Sequence, residues 1–336
     1  MLDLVVVGGG PAGSAAAVTA ARAGRSVAVV EACSFPRHRP GESLHPGAEP
    51  LLRRLGVWDA LAPAGRVRYA GITVRDGAGE RFSAFGADAA GAWLGIQLPR
   101  ADLDAALLAV AIRAGCRVHQ PARAAAVLAA GGRVCGVRLA DGTELRARWT
   151  IDAGGGRHWL ARRIGVPVER RSVPLVVRYS YASGECPRAD SAPTFARDRV
   201  GWTWTARVAP GLYHWTRLGP TGEPIQAPPE FAGLRPVGPV RAADVTWRAV
   251  GAAAGPGYFL AGDAAMVLDP SGANGVLRGL MTGMMAGHAV ARIGGGLSER
   301  IAGSEYSHWA SEVFQTGLAR LSAEFPHAVL GARDAG

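Results

Sequence analysis

The sequence predicts an α/β fold in which a nucleotide-binding domain, built on a parallel sheet, is interrupted by a domain of antiparallel strands. Three observations support this prediction. The chain opens with a buried strand, a glycine-rich turn and an alanine-rich helix, and such a β-α-β beginning implies a parallel sheet. Residues from about 172 to 250 alternate between polar and apolar and are rich in aromatic residues and proline, which is typical of antiparallel strands. A further buried strand and a long helix follow them.

Composition favours a folded chain and narrows the classes of partner. The 336 residues are 49% hydrophobic and 19% charged, which excludes general disorder and allows one large domain or two interleaved domains. All 37 basic residues are arginine, and the sequence contains no lysine. The net charge of +10 is spread along the chain without a basic run, so we expect no nucleic-acid partner. Such a diffuse charge suits phosphate-bearing cofactors or acidic partners.

A cytoplasmic location is expected from the first residues and from the cysteines. Met1 leads directly into an apolar strand, without the basic segment and cleavage site of a signal peptide. We expect no transmembrane segment, because no uncharged apolar stretch has the required length. The cysteines lack zinc-binding spacing, so reduced thiols and no metal site are predicted. They are Cys33, Cys116, Cys135 and Cys186.

Hydrophobic patterns and glycine stops predict the elements in chain order. The first half is expected to contain Leu4–Val7 (strand), Pro11–Ala23 (helix), Ser26–Val30 (strand), Leu51–Leu61 (helix), Arg66–Ala87 (strands of another layer), Asp102–Ala114 (helix), Arg117–His119 (strand), Ala124–Trp149 (three strands) and Thr150–Asp152 (strand). After the antiparallel segment come Tyr258–Ala261 (strand) and Gly275–Ile293 (helix). Residues 1–65, 97–170 and 251–336 thus form the nucleotide-binding domain. Residues 66–96 and 171–250 form a substrate domain.

The first motif is a dinucleotide fingerprint, Gly8-Gly9-Gly10-Pro11-Ala12-Gly13, between a strand and a helix. Gly8 makes the turn, Gly10 lets the backbone approach a pyrophosphate, and Gly13 permits close helix packing. The helix start at Pro11 and Ala12 faces the diphosphate. Glu31 ends the second strand, where its carboxylate can accept ribose hydroxyls. The domain is therefore predicted to be Rossmann-like, the alternative being an ordinary glycine-rich turn.

A second motif, Gly262-Asp263, follows a late buried strand and resembles the flavoprotein motif whose Asp binds the ribityl chain of FAD. A loop of small residues comes next and leads into a helix, so that backbone amides can face a developing anion. Reduced flavin carries such an anion at its N1/C2 carbonyl edge. We place Asn274 and Gly275 there and count Pro270 of the same loop with the catalytic residues. The alternative is a loop that only connects strand and helix.

Together with the runs 37–44 and 98–104, these motifs make the chain resemble the FAD-dependent monooxygenase and halogenase superfamily. The resemblance implies FAD as cofactor. It further implies contacts to FAD from Arg39, Glu42, Ser43 and Arg100. The R-x-x-x-G-E-S run and Asp152-Ala153-Gly154 are similar to the halogenase and geranylgeranyl-reductase side. Single-component aromatic hydroxylases usually carry, at the position of Asp152-Ala153-Gly154, an Asp-Gly motif that accompanies pyridine nucleotide use. This chain lacks it there, so the resemblance implies a separate flavin reductase.

The run Gly201-Trp202-Thr203-Trp204-Thr205 predicts a strand with both indoles on one face. Trp202 and Trp204 would wall a cavity over the flavin and stack on an aromatic substrate, with core packing as the alternative. His214, on another strand of the predicted sheet, is the third predicted substrate residue and points either into the cavity or to solvent. The run resembles the W-x-W-x-I-P signature of flavin halogenases without its Ile-Pro. Halogenases of this group use a lysine, and its absence disfavours halogenation.

The runs 201–204, 267–270 and 275–285 are similar to flavoproteins that mature tryptophylquinone oxidases, of the lysine oxidase and glycine oxidase type. This resemblance implies an FAD monooxygenase that hydroxylates an aromatic substrate through a flavin C4a-hydroperoxide. The substrate it suggests is a tryptophan of a quinoprotein precursor. His45 is the candidate acid or base, because an imidazole exchanges protons near neutrality. The alternative is a structural histidine, since no partner can be identified from the sequence.

Other functions stay open for the sequence alone. They are a reductase of isoprenoid double bonds, which would need a long apolar tunnel, then a halogenase, and finally a non-catalytic flavoprotein subunit. The sequence identifies neither the reductant nor the oligomeric state.

Overall fold

A mainly parallel sheet and a mainly antiparallel sheet organise the chain in a computed structural model, which describes residues 1–37, 39–61, 66–219 and 227–329. His38 of the run 37–44 and the domain ends predicted at 65 and 336 lie outside the described residues. The strands in chain order are β1 (Leu2–Val7), β2 (Val27–Val30), β3 (Ser43–Leu44), β4 (Arg68–Tyr69), β5 (Gly71–Asp76), β6 (Gly79–Ala84), β7 (Ala87–Asp88), β8 (Gly91–Ala92), β9 (Gly95–Gln97), β10 (Arg117–His119), β11 (Ala124–Ala130), β12 (Arg133–Leu139), β13 (Glu144–Asp152), β14 (Val168–Arg170), β15 (Val176–Ser183), β16 (Thr194–Arg197), β17 (Trp202–Ala209), β18 (Leu212–Leu218), β19 (Arg235–Asp244), β20 (Arg248–Val250), β21 (Ala254–Gly255), β22 (Tyr258–Leu260) and β23 (Met266–Val267). The helices are α1 (Pro11–Arg22), α2 (Ala48–Leu55), α3 (Trp58–Leu61), α4 (Arg100–Arg113), α5 (Trp159–Arg163), α6 (Pro187–Asp190), α7 (Gly275–Gly294) and α8 (Glu299–Glu324).

The parallel sheet has the strand order β10-β2-β1-β13-β22, with every neighbouring pair parallel. Its central strands β1 and β2 consist mostly of valine and leucine, and Leu4–Val7 and Val27–Val30 are buried, as parallel strands covered on both faces are. The order reverses between β1 and β13, and ligands of such sheets bind beyond the carboxyl ends of the strands at this point. Gly8, Glu31 and Gly262 follow the ends of β1, β2 and β22. The predicted α/β, Rossmann-like architecture is confirmed.

The predicted break between a three-stranded stretch and a separate strand at Thr150 is wrong. Residues Glu144–Asp152 form one strand, β13. Its first half pairs with β12 in antiparallel register, and its second half pairs with β1 and β22 in parallel register. A strand that changes partners along its length shows no break in its own sequence pattern.

The second sheet has the order β19-β15-β18-β17-β16-β5-β6 and is antiparallel except for the pair β16 and β5. It therefore joins strands from residues 71–84 to strands from residues 176–244, the two segments assigned to the substrate domain. A three-stranded sheet, β14-β20-β23, lies across the predicted domain boundaries near 170 and 250. Where the domains divide stays a prediction.

Helices α1 and α7 cross at very short range because small residues line both. A Cβ atom on Gly283 would lie 2.0 Å from the Ala12 carbonyl oxygen, and one on Gly287 would lie 2.5 Å from that of Ala16. Real Cβ contacts essentially never fall below 3.0 Å, so only glycine allows this approach. The crossing brings the amino ends of two helices to the same edge of the parallel sheet.

The single helix predicted for Leu51–Leu61 is also wrong. It is divided into α2 and α3 by Gly56, which caps α2 in the left-handed conformation with φ of 71°. Glycine adopts this conformation without a Cβ penalty. None of the described helices is both long enough and apolar enough to cross a membrane.

Candidate flavin site and its neighbours

The turn after β1 is shaped by two close backbone contacts. Gly8 has φ of 101°, and a Cβ on it would lie 2.4 Å from the carbonyl oxygen of Ala153, the residue after β13. A Cβ on Gly13 would lie 1.8 Å from the Gly8 carbonyl oxygen. The turn therefore accepts only glycine at both positions. Its backbone leads into α1 at Pro11, and a helix start of this kind binds diphosphates.

Glu31 lies at the predicted ribose position, and its carboxylate is engaged by protein donors. Oε2 accepts from the Gly9 backbone N–H at 2.8 Å, and Oε1 accepts from the Cys33 N–H and from Arg37, each at 2.9 Å. The side chain of Glu31 is only 3% exposed. A ribose would share this carboxylate with Arg37, so direct ribose contact stays a prediction.

Asp104 holds together the loop that precedes the Gly-Glu-Ser run. Its fully buried carboxylate accepts from Arg37 at 3.2 Å and from Arg100 at 3.0 and 3.2 Å. Arg100 also donates to the Pro40 carbonyl oxygen at 3.0 Å. Arg39 is exposed beside them. Arg37 and Asp104 were not among the predicted site residues, although both stand within the motifs that predicted Arg39 and Arg100.

The second motif meets the first in space. Gly262 donates its N–H to Thr282 Oγ1 at 2.8 Å, and a Cβ on Gly262 would lie 3.0 Å from the Ala12 Cβ. Asp263 is exposed at this point. The fingerprint turn and the Gly-Asp turn are therefore in contact, and the Asp263 carboxylate is free to face a ligand that runs along both.

The loop from Asp269 to Gly275 connects this turn to α7. Pro270 opens a short 3₁₀ turn, Asn274 is half-buried and precedes the helix, and Gly275 is exposed with no atom within 4 Å of a built Cβ. Asp269 is 3% exposed and accepts from the Ser271 N–H at 2.9 Å. Burial raises the pKa of Asp269. The start of α7 is therefore open at Gly275, and contact of its amides with the anionic flavin edge stays a prediction.

Two arginines that the sequence analysis did not assign surround this loop. Burial lowers the pKa of Arg278, in the first turn of α7, while the charges of Asp263 and Asp269 raise it. Arg320 reaches over from α8, and its Nη2 lies 2.6 Å from the position of a Cβ on Gly272. No local sequence signal marks Arg320, because α8 is far along the chain from this loop.

His45 lies beside the same loop as a neutral imidazole. Burial lowers its pKa, and the positive charge of Arg320 lowers it further. Its Nδ1 accepts from the Gly47 N–H at 3.1 Å, and its ring packs edge-on against Phe85. Nε2 is therefore the nitrogen that carries the proton at neutral pH. A catalytic role for His45 stays a prediction.

The antiparallel sheet presents one face to these loops. Trp202, 1% exposed, directs its indole N–H to Asp269 Oδ2 at 3.4 Å, and Trp204, 7% exposed, donates to Ser43 Oγ at 3.2 Å. Both indoles share one face, as alternation predicts. Ser43 in turn donates to Gln97 at 2.9 Å. Both tryptophans therefore tie the sheet to the flavin loops, and their contact with a substrate stays a prediction.

Glu42 and His214 meet across the same boundary. His214, 5% exposed, places Nε2 3.8 Å from Glu42 Oε2, and Tyr181 donates its hydroxyl to Glu42 Oε1. His214 therefore points inward, toward the loop predicted to hold the cofactor. Tyr181 is a polar residue of this boundary that sequence reasoning missed, because only strand pairing brings it opposite His214.

These features fit FAD. The glycine turn leaves no room for side chains beside a diphosphate, Asp263 is exposed where a ribityl chain would pass, and Gly275 is open where a flavin edge would lie. Among the described residues no group of three or more His, Cys, Asp or Glu side chains could hold a metal ion. The site thus defines a flavin-dependent oxidoreductase.

Comparisons with known proteins agree with this class. Residues 1–178 match the family described as FAD binding domain. A menaquinone reductase of Mycolicibacterium smegmatis is 34% identical over 320 residues, which cover 84% of this chain and 75% of the relative. A digeranylgeranylglycerophospholipid reductase of Methanothrix thermoacetophila is 29% identical over 86% of this chain and 77% of the relative.

Among solved structures, the flavin-dependent brominase Bmp2 has a TM-score of 0.85 at 22% identity, covering 97% of this chain and 88% of that chain. A likeness at this identity establishes the fold. The chain belongs to the family described as FAD binding domain, and FAD is its cofactor. The predictions of an enzyme and of FAD are confirmed.

Proposed function

We propose that this flavoenzyme is a monooxygenase that hydroxylates an electron-rich aromatic ring. The observation that supports this best is a cavity of about 370 Å³ between the antiparallel sheet and the Gly-Glu-Ser loop with the start of α4. Arginines line it together with Glu42, Tyr181 and the aliphatic residues Val208, Leu212 and Val237. Small-molecule sites occupy about 300–1,000 Å³. Arg39, Glu42 and Arg100 of its lining are expected to contact FAD, so the cofactor would share this volume, and the space left suits a single aromatic ring system better than a long isoprenoid chain. Guanidinium groups also stack on aromatic faces.

The chain's own residues hold the cofactor and shield the reaction. Bound FAD supplies the redox and oxygen chemistry. The Gly8–Gly13 turn would hold its diphosphate, and Asp263 its ribityl chain. The amides at the start of α7, with Arg278 beside them, would balance negative charge at the flavin edge. The buried indoles of Trp202 and Trp204 close the boundary between the sheets against water. Electrons would come from a separate flavin reductase.

We extend this proposal to the substrate and take a tryptophan of a quinoprotein precursor as the target. The support is the similarity of the runs 201–204, 267–270 and 275–285 to flavoproteins that mature tryptophylquinone oxidases. A net charge of +10 would speed encounter with an acidic partner, because charge complementarity raises association rates more than affinity.

The second candidate is a reductase of a double bond in an isoprenoid compound. It is favoured by the similarity, over most of the chain, to relatives described as menaquinone reductase and digeranylgeranylglycerophospholipid reductase. Halogenation ranks third, since the halogenases this chain resembles use a lysine and this sequence has none.

One pair of reactions separates the candidates. The FAD-bound protein is reduced with dithionite and then mixed either with a quinoprotein precursor and ¹⁸O₂ or, without oxygen, with menaquinone. Label on a precursor tryptophan supports the monooxygenase. Flavin reoxidation by menaquinone without oxygen, with a hydrogenated product, overturns it in favour of the reductase. Brominated product at high bromide would establish a halogenase.

A variant pair connects this result to the structure. Trp204→Phe removes the indole N–H that binds Ser43 and is expected to release more hydrogen peroxide per precursor hydroxylated. Trp93→Phe changes an exposed tryptophan bonded to Asp88, outside the site, and serves as the matched control. Equal peroxide release by the two variants would argue against a closing role for Trp204.

A further inference from the structure

A cluster of three titratable side chains lies where the antiparallel sheet meets the Gly-Glu-Ser loop. Tyr181 on β15 pairs directly with His214 on β18, so their side chains share one face of the sheet. Their ring centroids are 4.9 Å apart. Glu42 reaches both, accepting the Tyr181 hydroxyl on one carboxylate oxygen and lying 3.8 Å from His214 Nε2 with the other.

The cluster is buried on one side and open on the other. Glu42 and His214 are 3% and 5% exposed. Glu42 and Tyr181 nevertheless line the 370 Å³ cavity described above. Tyr181 therefore contacts the cavity and hydrogen-bonds the buried Glu42, and His214 lies 3.8 Å beyond that carboxylate, away from solvent.

Titratable and positively charged side chains surround the cluster of Tyr181, Glu42 and His214. Burial raises the pKa of Tyr181, and the neighbouring Glu42 raises it further, so the tyrosine hydroxyl keeps its proton at neutral pH. Other charged or titratable groups face the cluster from each packed element: Tyr179 on β15, Arg39 in the loop before β3, Arg100 on α4 and Arg241 on β19. The arginines offset the negative charge of Glu42.

We propose that Tyr181, Glu42 and His214 form the proton-transfer group of this enzyme. The inference rests on the proposed hydroxylation, in which the ring carbon that gains oxygen must lose a proton to restore aromaticity. That proton passes to the Tyr181 oxygen while the tyrosine proton passes to the Glu42 carboxylate, which becomes a carboxylic acid. The electron pair of the broken C–H bond returns to the ring, so the step needs no oxidant. Tyr181 contacts the cavity, and His214 acts through Glu42 as a positioning residue.

The first test does not depend on turnover. In the FAD-bound protein, ¹⁵N NMR follows the titration of the His214 ring. Glu42→Gln removes the nearby negative charge, so the His214 midpoint should move to lower pH. Tyr181→Phe removes the donor that competes for Glu42, so the midpoint should move to higher pH. An unchanged midpoint in both variants overturns the proposal, whatever reaction the enzyme catalyses.

The second test measures the pH dependence of single-turnover product formation. General acid–base groups contribute about 10²–10⁴-fold, so Tyr181→Phe should slow product formation by about a hundredfold or more and flatten the pH profile. The matched control is Tyr213→Phe. Tyr213 precedes His214 on β18, points to the opposite face and donates to Asp190 at 2.8 Å. This variant should leave rate and profile unchanged.

The two tests separate failure of the relay from failure of the proposed function. Labelled oxygen on the product at wild-type rates in Tyr181→Phe and Glu42→Gln would overturn the relay and keep the monooxygenase. Anaerobic reduction of menaquinone with no oxygenated product would overturn the monooxygenase. The NMR titration would then still show whether Glu42 and Tyr181 change the protonation of His214.

Discussion

Replacing Gly283 by alanine tests the helix crossing on which the flavin site depends. The new methyl group would lie 2.0 Å from the Ala12 carbonyl oxygen, about 1.4 Å short of the 3.4 Å at which ordinary contact begins. A side-chain rotation cannot relieve this contact, because the atom that the methyl group meets belongs to the backbone of α1. Helix α7 must therefore move away from α1, and the fingerprint turn and the Gly-Asp turn move apart with it.

The cost can be estimated from the contact. Overpacking of this kind costs about 1–3 kcal/mol and occasionally more, and the better helix propensity of alanine returns up to about 1 kcal/mol. We expect a net loss of about 1–2 kcal/mol in the free energy of unfolding. FAD affinity should also fall, by about tenfold for each 1.4 kcal/mol of lost binding.

Urea unfolding of the apo- and FAD-bound proteins, with flavin fluorescence as the binding signal, measures both quantities. Gly303→Ala is the matched control, since Gly303 also lies inside a long helix, α8, but a Cβ there meets its nearest atom at 3.6 Å. It should stabilise the protein by about 0.4–1 kcal/mol. If Gly283→Ala unfolds at the same urea concentration as Gly303→Ala, the close crossing of α1 and α7 is not the constraint inferred here.

Three further predictions concern the cofactor and the pH dependence of stability. Asp263→Ala should weaken FAD binding about tenfold to over a hundredfold in a fluorescence titration, because a charge-assisted hydrogen bond is worth about 1.5–3 kcal/mol; unchanged affinity would remove Asp263 from the site. Acid precipitation should release all the yellow chromophore, whereas colour in the pellet would indicate a covalent link and direct attention to Cys33. His158 is buried, accepts from Arg248 at 3.0 Å and has a pKa lowered by burial from 6.5, so its contribution to stability is complete above about pH 6.5 and is lost as the pH falls toward the folded-state pKa. His158→Asn, whose side chain tolerates the left-handed backbone at this position, should reduce the loss of stability between pH 7.5 and 5.5, and an unchanged loss would contradict this assignment.

Local pattern was sufficient for much of the nucleotide-binding half. The boundaries of β1, α1 and β2 were predictable within one or two residues. The fingerprint glycines, the valine-rich strands and the first helix follow one another directly in the chain, so each one fixes where the next can begin. The helix over Leu51–Leu61 failed because Gly56 can continue or end a helix, and only the left-handed backbone shows that it ends one. The prediction divided the strand Glu144–Asp152 in two, because the residues of a strand do not indicate where it changes its pairing partner.

The sequence alone did not show which residues are in contact at the site. Glu42 and His214 were separate candidates, one for the cofactor and one for the substrate, and neither motif contained Tyr181. Strand register places Tyr181 opposite His214, and the packing of the Gly-Glu-Ser loop against the antiparallel sheet places Glu42 beside both. Arg320 reaches the flavin loop from the last long helix, so no spacing rule could have included it.

The sequence by itself determined the fold class, the FAD-binding family and the cofactor, because each depends on residues close together in the chain whose backbone geometry is restricted. A turn that admits only glycine or a strand of continuous valine has the same meaning in any surroundings. Tertiary structure alone decided which face of the antiparallel sheet meets the flavin loops, how Asp104 joins Arg37 to Arg100, and where a buried tyrosine, carboxylate and imidazole come together. These contacts are set by the packing of elements distant in sequence, and packing depends on the summed shape and burial of the whole core.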